Sequence, residues 1–358
     1  MELILDFSTG TSDRNAAKRL NRIRLEDCGI IPTTYRNTVE REGQRIQERI
    51  EQKCEEALVH NGFSADGTLP EETPFTYDEP KSIDTQTIAA AAAELNISGV
   101  NPSDYESPDE TVNISLDDVC VKRQTKTRPK DETVQQLKRV NNTVIHVQHK
   151  KRGYILNGAT VLGALKLLIG FLLLNSLLRK QLVLFTDGAR DLHSAISKML
   201  KFANVKIILD WYHLEKKCKE QLSMALRGSK IRNTFLSKLM PCLWFGNVSG
   251  AILLLNNIDP EKVKSHEIIT KLIEYLERVR GCIPCYALRK KLGLRNSSNK
   301  GEKSNDLVVS SRQKHNGMSW SNDGSFSFAT ISATSCNNEI PRWVNSHDIG
   351  FCLLSCAE

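Results

Sequence analysis

No run of apolar residues in this chain is long enough to cross a bilayer. The best candidate, Leu167-Leu168-Ile169-Gly170-Phe171-Leu172-Leu173-Leu174-Asn175-Ser176-Leu177-Leu178, falls short of the roughly twenty apolar residues a span requires. Lys166 and Arg179 close it on both sides. A helix buried against a sheet is expected there, and a membrane partner is not. The opening Met1-Glu2-Leu3-Ile4-Leu5-Asp6 lacks the basic region and apolar core of a signal peptide. A cytoplasmic location is therefore expected, and triplets such as Asn113-Ile114-Ser115 carry no glycosylation reading. Zinc-finger spacing is missing as well. Ten cysteines are scattered, Cys282-Ile283-Pro284-Cys285 is the only CxxC, and neither a second pair nor a nearby His pair accompanies it. Reduced thiols are the simpler reading. Acid excess is also absent: 49 Lys and Arg against 42 Asp and Glu give a formal charge of +7. That balance suits a polyanionic partner without requiring one.

What is present is an ordinary globular composition, 40% hydrophobic and 25% charged, in 358 residues, room for two or three domains. Residues 1–60 read as helical. Val39, Ile46, Ile50, Cys54 and Leu58 form one apolar stripe on a charged segment. Before it, Ser12–Leu20 and Pro32–Val39 have the shape of two short helices about a turn, either a helix-turn-helix that enters a major groove or a plain helical hairpin. Residues 61–110, acidic and proline-bearing around an alanine-rich helix, read as a connector.

From residue 111 the period changes to that of a sheet. Val112, Ile114 and Leu116 alternate, Thr143–Val147 gives a second strand and Tyr154–Leu156 a third. The apolar helix follows, then the strand Leu182–Phe185, a helix through Leu192, Ile196 and Leu200, and the strand Val205–Leu209. Three strands, a helix, a strand, a helix and a strand is the order of a ribonuclease-H-like α/β sheet. Residues 214–295 read as helix throughout and 296–358 return to the sheet domain, so the helical block is an insertion whose two ends should meet.

Acids punctuate this pattern. Val112–Leu116 runs into Asp117-Asp118, Leu182–Phe185 runs into Thr186-Asp187-Gly188, and Glu302 lies in the polar stretch Asn296–Asp306. Acids at strand ends can build a magnesium site, because Mg²⁺ prefers hard oxygen ligands and keeps several waters. Strand alternation sets Asp117 opposite Leu116, toward the sheet's edge, and favours it over Asp118. A two-metal site places its ions about 4 Å apart, so the three carboxylates should converge to within roughly 10 Å.

Four motifs in order carry a resemblance over roughly residues 10–345. Thr186-Asp187-Gly188-Ala189-Arg190, Ile208-Leu209-Asp210-Trp211-Tyr212-His213-Leu214, Ile283-Pro284-Cys285-Tyr286-Ala287-Leu288-Arg289 and Arg312-Gln313-Lys314-His315-Asn316-Gly317-Met318-Ser319-Trp320-Ser321 resemble bacterial insertion-sequence transposases of the ISLre type, near the Mutator-like DDE transposases. The resemblance implies a nucleoid-associated DDE transposase with a ribonuclease-H-like catalytic domain. Asp117, Asp187 and Glu302 would be its catalytic and metal-holding acids, with Asp118 as an accessory, and two Mg²⁺ or Mn²⁺ ions its cofactors. Its partners would be double-stranded DNA, as transposon ends and target, and further copies of the chain in the DNA complex. Asp210 holds the position where the wider superfamily often has the cysteine of Cys-x-x-His, and His213 holds the histidine, which makes both further accessory candidates beside Asp118. Lys126, Arg128, Arg312 and Lys314 are candidates for phosphate contacts, and Trp320 for stacking on a base. Trp211 and Trp244 are expected in the core. The competing reading is a catalytically inactive or truncated transposase-derived DNA-binding protein.

Overall fold

A computed structural model describes residues 13–23, 31–124, 139–314 and 318–353. Five strands form one mixed sheet: β1 (Thr111–Lys122), β2 (Arg139–His149), β3 (Arg152–Gly158), β4 (Gln181–Thr186) and β5 (Val205–Leu209). Their spatial order is β3-β2-β1-β4-β5. β1, β2 and β3 are antiparallel neighbours, whereas β4 runs parallel to both β1 and β5. The parallel steps require crossovers. α4 (Val161–Leu174) joins β3 to β4, and α5 (Arg190–Met199) joins β4 to β5. The apolar run expected to be a buried helix is α4, with residues 164, 165 and 167–172 all buried. No described helix is long and apolar enough to cross a membrane.

β1 is longer than its apolar alternation suggested. It pairs with β2 from Val112 to Lys122 but with β4 only from Thr111 to Ser115. Asp117 and Asp118 therefore sit in mid-strand, at the point where β4 stops, and not at a strand end. The β2 ladder carries the chain on through Val119 and Val121, both buried.

Two helical layers cover the sheet. On one face, Val112, Ile114 and Leu116 join Leu182, Leu184 and α4 in one core. α2 (Pro32–His60) packs against α4 and against α13 (Asn322–Cys336). The segment Pro32–Val39 is thus the first two turns of a single 29-residue helix whose Tyr35 and Val39 are buried, and not a separate short helix after a turn. The apolar stripe read from Val39 to Leu58 simply continues upstream. α1 (Asp13–Ile23) packs against α2. At the β3 edge, Asn337 donates from Nδ2 to the Ile155 carbonyl (2.8 Å) and accepts at Oδ1 from the Ile155 N–H (2.8 Å). That side chain blunts an edge that would otherwise template further strands.

On the other face, Val183, Phe185, Ile208 and Leu209 form a second core with the helices that follow β5. These are α6 (Trp211–Ala225), α7 (Ser229–Trp244), α8 (Val248–Asn256), α9 (His266–Arg278) and α10 (Tyr286–Lys291). The ends of this block do meet: the Trp211 N–H donates to the Asn296 carbonyl at 3.0 Å. Its core, however, is completed by β4 and β5. Trp211 and Trp244, expected in the core, are partly buried and pack against it with the buried Tyr286, at centroid separations of 4.6–5.8 Å.

Residues 61–110, read as a connector, pack against the rest of the chain. Phe63 and Phe75 close an aromatic trio with Phe202. α3 (Thr85–Glu94) buries Ile88 and Ala92 with Leu288 and Leu294. Glu106, 1% exposed, accepts two hydrogen bonds from the fully buried Arg289, at 2.9 and 2.6 Å. The eight described cysteines are all free.

Candidate functional site

Register fixes the relation between the first two acids. Ser115 lies beside Phe185 in the parallel pair, so two residues further along each chain Asp117 stands level with Asp187. Period-2 alternation puts both on the face of Ser115 and Phe185. Asp187 follows the last residue of β4 and is exposed. Its Oδ1 accepts from the Ala189 N–H at 2.8 Å, an Asx turn that needs Asp or Asn. Gly188 has φ +80°, and a Cβ there would meet Leu209 at 2.9 Å, so only glycine fits. Part of the Thr-Asp-Gly signature is thus turn chemistry.

Glu302 arrives on α11 (Asn299–Asn305), which crosses the same face over β1 and β2. The helix can lie close because a Cβ on Gly301 would strike Ser115. Three residues beyond Glu302, Asn305 donates from Nδ2 to Asp117 Oδ2 at 2.6 Å, while its buried Oδ1 has no hydrogen-bond partner among the described residues. His213, in the first turn of α6, brings Nε2 to 3.6 Å from Glu302 Oε1. Burial pushes the Asp117 carboxyl up to about 6. The charge of Asp187 adds to that rise and His213 opposes it, which sets all three groups within electrostatic reach.

Asp210 fills a different role from an acid in the cleft. It is 1% exposed. Its Oδ1 caps α6 by accepting from the His213 N–H (3.1 Å), and its Oδ2 accepts from the Ser298 N–H and Oγ, the latter at 2.7 Å. One carboxylate therefore ties the first turn of the His213 helix to the residue before the Glu302 helix. An Asp directly before a helical pattern is an N-cap signal that could have been read from the sequence. Asp118 points to the opposite face, where Thr143 Oγ1 donates to it at 2.5 Å.

The expected DNA contacts fare unevenly. Lys126 and Arg128 lie outside the described residues. Lys314 is exposed. Arg312 and Trp320, expected to reach DNA, are both 8% exposed. Trp320 is bridged to Arg123, donates from Nε1 to the Gln313 carbonyl (3.3 Å) and packs edge-on to Phe328. Gln313 and Ser325 exchange hydrogen bonds at 2.6 and 3.0 Å, and Asn142 donates to Ser325 at 2.8 Å. Trp320 is thus hydrogen-bonded and packed in the interior and is not free to stack on a base. Other cations surround Asp187 instead. A cleft of about 380 Å³ is lined by Asp187, Arg190, His213, Lys216, Lys217 and Arg278, with Glu220 the other acid. Arg278 donates to the Gly188 carbonyl at 3.0 Å.

Among the described residues no three His, Cys, Asp or Glu side chains are gathered tightly enough to hold a metal ion as they stand. Asp117, Asp187, Glu302 and the unpartnered Asn305 Oδ1 are nevertheless hard oxygen donors, the set that suits Mg²⁺ or Mn²⁺. Comparisons with protein-family models, curated proteins and solved structures return no match for this chain.

Proposed function

We propose that the chain is a DDE-type transposase built on a ribonuclease-H-like domain, cleaving and joining DNA strands. One observation carries the reading. Asp117 on β1 lies within electrostatic reach of Asp187, which directly follows the parallel neighbour β4, and α11 carries Glu302 over the same face of β1. The strand order β3-β2-β1-β4-β5, with the first three antiparallel, supports the ribonuclease-H-like assignment. So does the meeting of Trp211 with Asn296 at the two ends of the helical block.

Asp117, Asp187 and Glu302, with Asn305 Oδ1, would hold the divalent cations. When bound, a pair of such ions supplies the charge that activates a water or a DNA 3′-hydroxyl and stabilises the leaving oxygen. The chain's own residues do the rest. Asn305 orients Asp117 through its 2.6 Å hydrogen bond. Asp210 holds the start of α11 against α6, so Glu302 and His213 face each other. Burial and like charge make Asp117 hold a proton near pH 6 until positive charge arrives. Arg190, Lys216 and Lys217 line the cleft beside Asp187, where they would take strand phosphates without reading sequence. Further copies of the chain would complete the DNA complex.

A strand-transfer assay with Mg²⁺ and the inverted repeats flanking the gene tests this reading. Joined products with wild type and none with Asp187→Asn are expected. The second reading is a transposase-derived DNA-binding protein without activity, favoured by the absence of a ready three-ligand group among the described residues. DNA binding with no product under any divalent cation would select it.

A further inference from the structure

A second cleft, of about 960 Å³, opens toward the other end of β1. Asn113 on its wall precedes Asp117 by four residues, a separation of roughly 13 Å along a strand. Its volume lies at the upper end of the range for small-molecule sites. Lys150, Lys151 and Arg152, in the β2–β3 hairpin, supply one cationic side, and Arg295 supplies another. Leu174, Leu177 and Leu294 give it an apolar floor. Two acids also line it. Glu106 is already committed to Arg289 and to Lys206 (3.1 Å), which leaves Asp109.

Arg295 is the informative residue. Its guanidinium is half-buried and has no ion-pair partner among the described residues; desolvation alone shifts it, downward. Its backbone is fixed, because Arg289 donates to the Arg295 carbonyl from Nε (3.1 Å) and Nη2 (3.0 Å) while holding Glu106. A buried ion pair thus props an unpaired cation at the cleft. The positive charge there is felt by its neighbours. Burial first, then Arg295 and Lys300, hold His146 at about 4. Lys300 itself is lowered by desolvation and by Arg295, and donates to Gln148 on the cleft wall at 2.8 Å. A half-buried cation among other cations is costly unless an anion completes it. A guanidinium with ammonium groups beside it matches phosphate oxygens, and leucines with the Asn113 and Gln148 amides match a base.

We propose that this cleft is a phosphate-binding site that accepts a nucleotide, with phosphate oxygens on Arg295, Lys151 and Arg152 and the base on the leucine floor. The nucleotide is either free or one residue of a DNA strand. The site stands whether or not the acids of the first cleft are catalytic.

Titrating the full-length protein with ATP and with a 12-nucleotide single-stranded DNA, by calorimetry at low salt, tests it. Wild type should bind at least one probe. Lys151→Glu, a change on the exposed rim, and Arg295→Gln should each weaken that binding at least fivefold, with Arg295→Lys recovering most of it. Loss for ATP alone or for both probes assigns a free nucleotide; loss for DNA alone assigns a strand. Should Arg295→Gln not fold, Lys151→Glu decides. No binding of either probe by wild type, or a less than fivefold change in Lys151→Glu for both, overturns the proposal.

Discussion

Two regions of this molecule hold buried or half-buried carboxylates, and they solve the problem of charge in opposite ways. Glu106 is sealed inside with Arg289 and Lys206. Burial alone would push its carboxyl up, yet the Arg289 hydrogen bonds and charge hold it below the ordinary range. Asp117 is desolvated beside another acid, has only a neutral amide as side-chain hydrogen-bond partner among the described residues, and is pushed up to about 6. The first arrangement is finished by the chain itself. The second is left open, as the proposed cation site requires, whereas the ion pair holds the fold together.

The strongest way to break the comparison is to remove an acid from each region. Asp187→Asn should reduce strand cleavage and joining by about a thousandfold or more, the scale of losing a principal electrostatic group in an active site. DNA affinity, which rests on Lys and Arg, should hardly change; near-normal joining would remove Asp187 from the site. Glu106→Ala strands Arg289 without a counter-charge and should cost about 3–5 kcal/mol in denaturant unfolding. A loss under 1 kcal/mol would mean the pair is dispensable.

Asp117→Asn sharpens the contrast, because it should abolish activity while stabilising the metal-free fold. The folded protein keeps a proton on Asp117 up to about pH 6, whereas an unfolded Asp loses it near its ordinary value of 3.8. Stability therefore falls as pH rises through that window, and the neutral amide removes the penalty. The full shift corresponds to about 3 kcal/mol, and partial solvent access reduces the expected gain to about 1–2 kcal/mol at pH 7. Thermal melts at pH 4.5 and 7 would show it; an unchanged difference between variant and wild type at both pH values would contradict it. Asp118→Ala, on the opposite face with Thr143, should lower stability by no more than about 1 kcal/mol and activity only partly. A larger activity loss from Asp118 than from Asp117 would reverse the faces of β1.

Local pattern made much of this readable. β4 and β5 show as short apolar runs ending in acids, and α4 as a run too short for a membrane, because their burial is written in consecutive residues. Three features were not readable, each for a physical reason. The Glu106–Arg289 pair joins residues 183 positions apart, and no local pattern encodes such a contact. Arg312 and Trp320 sit among polar residues, but Gln313, Ser325 and Asn142 are hydrogen-bonded to one another, so polarity there marks a buried network. The continuation of β1 past its acids depends on pairing with β2, and two aspartates in a row masked it.

In the proposed site Asp117, Asp187 and Glu302 hold the cation and Asp118 does not. Mn²⁺ titration of the full chain, followed by the loss of the free-ion electron paramagnetic resonance signal, measures this without any DNA. Saturable binding in wild type and Asp118→Asn, lost or at least tenfold weaker in Asp117→Asn and Asp187→Asn, is the predicted result. Equal Mn²⁺ binding by all four proteins, or none by wild type, would contradict it.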